Sequence, residues 1–391
     1  MRVETVSYSS GNQLPILLDE DGLPIPAPNE FVLGRRALST NTLTRNLNEL
    51  AVLYKWFKNQ AIDPVRRIAS STSFTEAEIR GGMVEFLKRD ASKNKSLILF
   101  TVSPLTFNQR LTTARQYLGW LYEVYLGSMP HSDMRYERIR DQKNRLMLWL
   151  DSSFINAPPM NKGITKGLND SQVKFLIKIL DPNESILFGR DPAVRFRNYV
   201  SVMIMLNYGL RPGELLSLRV QDIEFGGISA IRVTRRLDDP KDLRKPRPRI
   251  KRNGRVLPID NPVFARHLDA YIMTWRDHLE AKSDMESDYL ILSDEGKPLS
   301  QPSITQFFQI IRNRFSNELP ANFTAKSLRH TFSSNLERHL RKMGVKEDKR
   351  KEVLAYLRGD SSSSSQDEYL MQEIEEQANI AMKNYHQKLL S

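Results

Sequence analysis

The chain has 391 residues, a formal net charge of +12 at pH 7 and no cysteine. This length favours two domains over a single core, and the lack of cysteine excludes disulfides, thiolate metal sites and cysteine nucleophiles. The N-terminus has no apolar signal core and the chain has no run of about 18 apolar residues, so we expect no membrane association. A folded protein this basic commonly binds a polyanion, above all nucleic acid, although a merely soluble basic protein is the alternative.

The first part of the chain is predicted to be an N-terminal extension, residues 1–37, followed by a helical domain, residues 38–155. The extension favours short strands and turns, with GLPIPAPNE as a proline-rich connector. From Ser39 the apolar residues recur at helical spacing. Four helices are predicted, the first containing Leu43, Leu47, Leu50, Tyr54 and Phe57, and the others covering EAEIRGGMVEFLKRD, TFNQRLTTARQYLGWLYEVYLG and DMRYERIRDQKNRLMLWL. Arg110 and Arg115 on the third helix are candidate DNA contacts, with a solvated surface as the favoured alternative.

The second part is predicted to be a linker, residues 156–167, and a second domain, residues 168–391. Asn169 or Asp170 can cap its first helix, and residues 193–207 favour a buried helix that ends at a left-handed Gly209. ISAIRVTRR and GRVLPID favour the two strands of a hairpin. Further helices are predicted at about 262–281, 303–315 and from about 367 onwards. The fold class is therefore mainly α with a small antiparallel β-sheet.

Two short segments place arginines at predicted helix starts. In GLRPGEL, Arg211 precedes Pro212, which suits a first helical turn, and Glu214 can reach back to the same turn. Such an arginine can direct its guanidinium group toward an anion, but an ordinary capping pair is the alternative. In TAKSLRHTFSSNL, Lys326, Arg329 and His330 stand together, either as a solvated helix end or as an anion site.

The two arginines together suit a phosphodiester. Its two non-bridging oxygens match two guanidinium groups, and phosphoryl transfer gains most from cationic donors placed where charge develops. The sequence shows no metal-ligand cluster, so arginines would take the place of a metal ion.

The order GLRPGEL, then KRNGRVLPI at the end of a basic hairpin, then LRHTF, then a late tyrosine resembles the tyrosine recombinase (phage integrase) family. The resemblance covers about residues 168–391, and the helical region before it is similar to the family's core-binding domain. It implies a two-domain DNA clamp, in which a helical core-binding domain is joined to an α+β catalytic domain.

The resemblance also implies roles for individual residues. Arg211 and Arg329 match the two catalytic arginines, and Glu214 matches the carboxylate beside the first. A hairpin lysine of the family protonates the departing 5′ oxygen. Lys251 fits this role best, with Lys241 and Lys245 as the alternatives.

The resemblance further implies a tyrosine nucleophile near the end of the chain. Tyr369 lies nine residues after Asp360, which is the family's spacing. Tyr356 and Tyr385 are the alternatives.

The sequence departs from the family pattern at two positions. Lys326 stands where the family usually has a histidine, and it can still donate to phosphate. Asp360 stands where a histidine or tryptophan is expected. Three alternatives stay open: Asp360 turns away and holds an arginine, Ser361 supplies the donor, or the chemistry is slow. His330 is expected to pack and hydrogen-bond locally. The expected DNA contacts are basic residues of the hairpin loop and of the helical domain: Lys245, Arg247, Arg249, Arg252, Arg110 and Arg115.

The function that the resemblance implies is DNA strand exchange through a 3′-phosphotyrosine intermediate, for integration or excision of a mobile element. It implies no metal or other cofactor, double-stranded DNA as partner, a homotetramer on DNA with or without sister recombinases, and a cytoplasmic, nucleoid-associated protein. Two alternatives stay open. One is a non-catalytic relative that only binds DNA, and the other is a type IB topoisomerase.

Overall fold

The structure is a computed structural model. It describes residues 1–8, 12–89, 101–156, 167–226, 229–236, 239, 241–250, 254–360, 377–383 and 385. The chain divides into two compact units, Met1–Met160 and Asn161–Ser391. It is mainly helical with small antiparallel sheets, which is the fold class expected from the sequence.

The first unit begins with an antiparallel strand pair and continues with helices. The strands are β1 (Arg2–Ser7) and β2 (Gln13–Leu18). The helices are α1 (Pro26–Leu33), α2 (Thr40–Asn59), α3 (Pro64–Ala69), α4 (Glu85–Leu87), α5 (Pro104–Gly127) and α6 (Arg135–Asp151). A π-helical segment, Ala77–Val84, leads directly into α4, so the second predicted helix is present with a wider turn than expected.

Helix α1 corrects the prediction of a proline-rich connector. Pro26 occupies the first helical turn, where a missing N–H costs nothing. The Asn29 side chain then ties the helix to β2, because its amide donates to the carbonyl oxygens of Leu17 and Ile25 and its oxygen accepts from the Leu17 N–H. Three prolines close together therefore begin a helix here instead of preventing one.

Helix α2 follows the apolar spacing that predicted it. The Ser39 hydroxyl accepts the Thr42 N–H at 3.2 Å and caps the helix. Leu43, Leu47 and Leu50 are fully or almost fully buried in the core of the first unit. Burial of this face, at roughly 25 cal/mol per Å² of apolar surface, holds the helix against the others.

The second unit contains eight labelled helices and a three-stranded sheet. The helices are α7 (Asp170–Leu180), α8 (Pro192–Tyr208), α9 (Pro212–Leu215), α10 (Pro262–Ala270), α11 (Asp277–Glu280), α12 (Gln301–Arg314), α13 (Ala325–Lys342) and α14 (Glu347–Leu357). A π-helical segment, Tyr271–Arg276, joins α10 to α11. Residues 377–383 and 385 are helical, and the rest of the predicted terminal helix lies outside the described residues.

Helix α8 is the central helix of the second unit, and it is buried on nearly all sides. Asp191 caps it and Pro192 opens it. It packs against α13 and α10. This packing fixes the positions of both helices that carry the predicted arginines, since α9 follows α8 directly and α13 lies beside it.

The predicted hairpin forms the edge of a three-stranded antiparallel sheet. The strand order is β3 (Ile223–Glu224), β4 (Ala230–Val233) and β5 (Arg255–Pro258). Ile231 pairs with Leu257, and both are buried. The same alternation points Arg255 inward, because it stands two residues before Leu257 on β5.

Candidate active site

A tight turn between α8 and α9 positions Arg211. Gly209 ends α8 in the left-handed conformation, with φ of 64°. A Cβ on Gly209 would lie 2.4 Å from a ring carbon of Phe332 on α13, so no larger residue fits there. Arg211 then occupies the N-cap position of α9.

Arg211 is held by Glu214 three residues later. Its backbone N–H donates to Oε2 of Glu214 at 2.9 Å, and its Nη1 donates to Oε1 at 3.0 Å. The sequence left two alternatives for Arg211, a capping pair with Glu214 and an arginine directed toward an anion, and the structure shows both at once. The second guanidinium nitrogen, Nη2, remains directed toward another group, Asp360.

Glu214 is the buried anion beneath the site, with a side chain that is 1% exposed. Its Oε2 lies 3.1 Å from Nη2 of Arg255, which is also 1% exposed, and 3.9 Å from Nη1 of Arg329. Burial favours a higher pKa for Glu214, but the charges of Arg255 and Arg211 hold its pKa below the usual value. Glu214 is therefore ionised at neutral pH and lies within 4 Å of the guanidinium groups of three arginines.

Arg329 lies in the second turn of α13 and is 8% exposed. Its Nη1 donates to the carbonyl oxygen of Gly209 at 2.8 Å, and its Nη2 donates to that of Arg358 at 2.9 Å. Burial, followed by repulsion from Arg211, lowers the pKa of Arg329 to about 10. The guanidinium group is still charged at neutral pH.

The end of α14 brings the two arginines together. Gly359 adopts a left-handed conformation with φ of 61°, and the Asp360 N–H donates to the carbonyl oxygen of Ala355 at 2.8 Å. The carbonyl oxygen of Arg358, which has no partner within the helix, accepts from Nη1 of Arg211 at 3.2 Å and from Nη2 of Arg329. Two arginines from distant parts of the sequence thus meet on one oxygen.

The Asp360 carboxylate lies between these arginines. Its Oδ1 accepts from Nη2 of Arg211 at 2.5 Å, and its Oδ2 lies 3.3 Å from Nη2 of Arg329 and 3.2 Å from Nε of Arg358. Burial favours a higher pKa, but the hydrogen bond from Arg211 and the charges of Arg358 and Arg329 lower the pKa of Asp360. The carboxylate therefore holds arginines, as the sequence suggested, and it does so by occupying the position between them.

Two more residues of the α13 motif flank this cluster. Lys326 is exposed in the first turn of α13. His330 packs as expected, but its Nε2 is buried with no hydrogen-bond partner among the residues that the structure describes. Burial, and then the charges of Lys326 and Arg358, lower the pKa of His330, so the ring is neutral near pH 7.

The hairpin loop is anchored by a buried ion pair. Arg244 pairs with Asp242 at 2.9 Å, and its Nη1 donates to the carbonyl oxygens of Leu216 and Leu299. A Cβ on Gly213 of α9 would lie 3.2 Å from the carbonyl oxygen of Arg249, so the end of the loop packs closely on the turn that holds Arg211. Lys251, Arg252, Ser361 and Tyr369 lie outside the described residues.

The predicted DNA contacts differ in their exposure. Lys245 is exposed and Arg249 is half-buried. Arg247 is 5% exposed and donates from Nε to the carbonyl oxygen of Asp242 at 2.6 Å. This contact favours a role in the fold of the loop, and the assignment of Arg247 as a DNA contact stays a prediction.

The two arginines of the first unit are engaged in its own packing. Arg110 donates from Nη1 to the carbonyl oxygens of Leu87 and Arg89, each at 2.8 Å. Arg115 pairs with Asp151 at the end of α6. Both contacts lie within the first unit, and the assignment of these arginines as DNA contacts stays a prediction.

Tyr385, one of the alternative nucleophiles, belongs to the core of the second unit. It is 2% exposed, its ring packs edge-on against Phe332, and burial raises its pKa to about 12. These properties oppose a nucleophilic role. Tyr356 lies in α14, partly buried against the same core.

Two arginines of the cluster were missed from the sequence. Arg255 stands inside the quoted motif KRNGRVLPI, and its position on the inward face of β5 was the signal that could have identified it. Arg358 stands at the end of α14, directly before the left-handed Gly359. The pattern Leu-Arg-Gly-Asp marks a helix end, but nothing in it indicates a partner 147 residues away.

Among the described residues, no group of three or more histidine, aspartate or glutamate side chains is placed to hold a metal ion. In the same part of the chain, no helix is long and apolar enough to cross a membrane.

The fold is that of a solved integrase. The integrase of transposon Tn1549, in complex with circular intermediate DNA, superimposes with a TM-score of 0.50 at 16% identity, covering 89% of this chain and 97% of that one. Residues 167–348 match the phage integrase family. The matched residues lie within the second unit.

Two curated relatives match the chain over part of its length. It is 24% identical to the tyrosine recombinase XerA of Thermococcus kodakarensis over 203 residues, covering 52% of this chain and 56% of XerA. It is 31% identical to transposase A of transposon Tn554 from Staphylococcus aureus over 147 residues, covering 36% of each. The chain therefore spans about half of XerA and about a third of the transposase.

Proposed function

We propose that the protein is a site-specific DNA recombinase that cuts and rejoins strands through a 3′-phosphotyrosine intermediate, for integration or excision of a mobile element. One observation carries the proposal. Arg211 and Arg329 converge on a single anion position, which Asp360 fills, and a buried carboxylate orients both arginines from below. Two guanidinium groups at one anion position suit a phosphodiester that is to be attacked.

The proposed chemistry begins with attack by the phenolic oxygen of Tyr369 on the scissile phosphorus. The bond from phosphorus to the 5′ oxygen breaks, and Lys251 donates a proton to that oxygen as it leaves. Arg211 and Arg329 stabilise the charge on the non-bridging oxygens. A free tyrosine has a pKa of about 10, so nearby cations are needed to favour the phenolate.

The second half of the reaction reverses the first. The 5′ hydroxyl of a partner strand attacks the phosphotyrosine, returns its proton to Lys251 and releases Tyr369. Because the covalent link preserves the phosphodiester energy, the sequence of steps needs neither ATP nor a metal ion.

The loop contacts support Lys251 over the other lysines. The Asp242–Arg244 pair fixes the loop, and the carbonyl oxygen of Arg249 packs against Gly213, next to Arg211. Lys251 follows Arg249 by two residues in the sequence, and this proximity to the described contact supports its assignment. Lys326, exposed at the start of α13, is proposed as a further donor to the phosphate.

The proposed partner is double-stranded DNA, bound mainly through its phosphates in keeping with the net charge of +12. Two solved relatives are described in complex with their DNA, the XerH recombinase on its difH substrate (TM-score 0.41, 18% identity, covering 91% of this chain and 96% of that one) and the Tn1549 integrase on circular intermediate DNA. We further propose a homotetramer on the DNA, with or without sister recombinases, at the nucleoid.

The experiment that tests the proposal is covalent trapping. The full-length protein is mixed, without metal, with labelled DNA from the ends of its own genetic element, nicked so that the cleaved fragment diffuses away. After denaturation, wild type should give a labelled band near 45.2 kDa that Tyr369→Phe does not give. Tyr385→Phe is the matched control and should still give the band, provided that the variant folds.

Each outcome separates the alternatives. A band that survives Tyr369→Phe places the nucleophile elsewhere, with Tyr356 as the next candidate. Tight, sequence-selective binding without any band would favour the non-catalytic relative. Relaxation of supercoiled DNA irrespective of its sequence would favour a topoisomerase.

A further inference from the structure

The Arg358 side chain is the most exposed of the arginines in the cluster, at 37% against 29% for Arg211 and 8% for Arg329, although its Nε is buried. Its Nε lies 3.2 Å from Oδ2 of Asp360. Within the described part of the chain, its guanidinium group makes no hydrogen bond. Arg358 stands at the end of α14, and its side chain lies beside the anion position that Asp360 fills.

The charges of the cluster do not balance. Four arginines, 211, 255, 329 and 358, meet two carboxylates, Glu214 and Asp360, so two positive charges stay uncompensated. Glu214 is fully buried and forms a buried ion pair with Arg255. Asp360 is 24% exposed, so it is the anion that can leave.

The structure assigns Arg358 as a third phosphate-binding arginine, with Asp360 as an internal counter-ion that a phosphate displaces. The assignment rests on the proposed function, since it deepens the same site. Residue 360 cannot donate a hydrogen bond as a carboxylate, and Arg358 supplies a donor two residues before it. When Asp360 turns outward, its place between the three arginines suits the non-bridging oxygens of a phosphodiester.

The backbone contacts of Arg358 are separate from this role. Its carbonyl oxygen accepts from Arg211 and Arg329 whatever the side chain is. Substitution of the side chain therefore removes one phosphate donor and leaves the positions of the other two arginines in place. A side-chain variant of Arg358 therefore reports on its contribution to phosphate binding alone.

The test uses inorganic phosphate as the probe. Thermal unfolding of the full chain is followed against phosphate concentration at constant ionic strength, and the dissociation constant is taken from the stabilisation. The variants are Arg358→Gln, Arg358→Lys, Asp360→Asn and the double variant Arg358→Gln/Asp360→Asn. The matched control is Arg232→Gln, which removes an arginine that is also paired with a carboxylate, Glu224, away from the cluster.

Asp360→Asn should tighten phosphate binding about tenfold or more, because the internal competitor is gone. Arg358→Gln should weaken it about ten- to hundredfold, as expected for loss of a charged hydrogen bond. The double variant should lose the gain of Asp360→Asn, Arg358→Lys should recover most of the binding, and Arg232→Gln should match wild type.

Equal phosphate affinity in wild type, Arg358→Gln and Arg232→Gln would overturn the assignment. So would an Asp360→Asn variant that binds phosphate no better than wild type. The trapping assay reports separately on the proposed function. If wild type forms no covalent complex while the phosphate results follow the expected order, the recombinase proposal is refuted and the anion site stands. If the complex forms at the wild-type rate in Arg358→Gln, the recombinase proposal stands and the assignment of Arg358 is refuted.

Discussion

Replacement of Glu214 by glutamine should destabilise the second unit strongly, although the two side chains have nearly the same shape. The change leaves Arg255, which is 1% exposed, as a buried charge without its partner. The glutamine oxygen can replace only one of the two carboxylate oxygens, so its NH2 group, a donor, faces a guanidinium group of Arg211 or Arg255 at the other position. Breaking one partner of a buried ion pair typically costs about 3–5 kcal/mol. At about 2–4 °C per kcal/mol for a unit of this size, the unfolding midpoint should fall by about 6–20 °C.

The assay is thermal and urea unfolding of the full chain, followed by circular dichroism and by calorimetry to separate the two units. The matched control is Glu224→Gln, which breaks an exposed pair with Arg232 on the neighbouring strand. Exposed pairs are worth about 0–1 kcal/mol, so this variant should unfold close to wild type. Equal midpoints for Glu214→Gln and Glu224→Gln would refute the reasoning, because Glu214 would then not compensate buried charge.

The same substitution has a pH signature. The pKa of Glu214 is lowered in the folded protein, so its contribution is fully present above the unfolded value, near 4.3, and is lost as the pH falls through the lower folded value. The difference in midpoint between wild type and Glu214→Gln should therefore be constant from pH 7 to about 5 and narrow below about 4. A difference that stays constant down to pH 3 would contradict the assignment of Glu214 as the ionised anion.

Two further substitutions test how the fold positions the site. Gly209→Ala forces a Cβ to within 2.4 Å of the Phe332 ring at a φ of 64°, so it should lower the unfolding midpoint and abolish trapping, whereas Gly226→Ala, with nothing within 4 Å, should do neither. Asp242→Asn leaves Arg244 buried without its charge partner and should cost about 3–5 kcal/mol, measured by urea unfolding; a cost under 1 kcal/mol would show that the hairpin loop does not depend on this pair.

The helices of both units could be predicted from the sequence because their signals are local. Asn169, one of the two caps that the sequence offered, caps α7, and Ser39, where the helical spacing begins, caps α2. The apolar spacing of α2 and α7 describes their buried faces. The connector around Pro26 was misjudged because the contact that stabilises α1, from Asn29 to β2, joins residues twelve apart. A local reading of three prolines cannot include that contact.

The candidate site was predictable in part for the same reason. Arg211 and Arg329 could be paired from the sequence because each stands at a recognisable helix start. Arg255 could have been identified only from the alternation of buried residues along β5. Arg358 could not, since its contacts depend on the way a helix end docks against α9 and α13. The burial of Arg247 could not be predicted either, because the sequence does not show which basic residues of a loop hydrogen-bond within the loop itself.

The two carboxylates of the cluster have different consequences for binding. Glu214 is fixed by burial, so its charge is a constant part of the site and keeps Arg211 and Arg329 oriented before any ligand arrives. Asp360 reaches the same arginines from a partly exposed position, so it competes with any other anion for them. Because of this competition, the apparent dissociation constant for phosphate equals the intrinsic one divided by the fraction of molecules in which Asp360 has left its position. Asp360 therefore weakens the unoccupied site for phosphate but removes none of its cations.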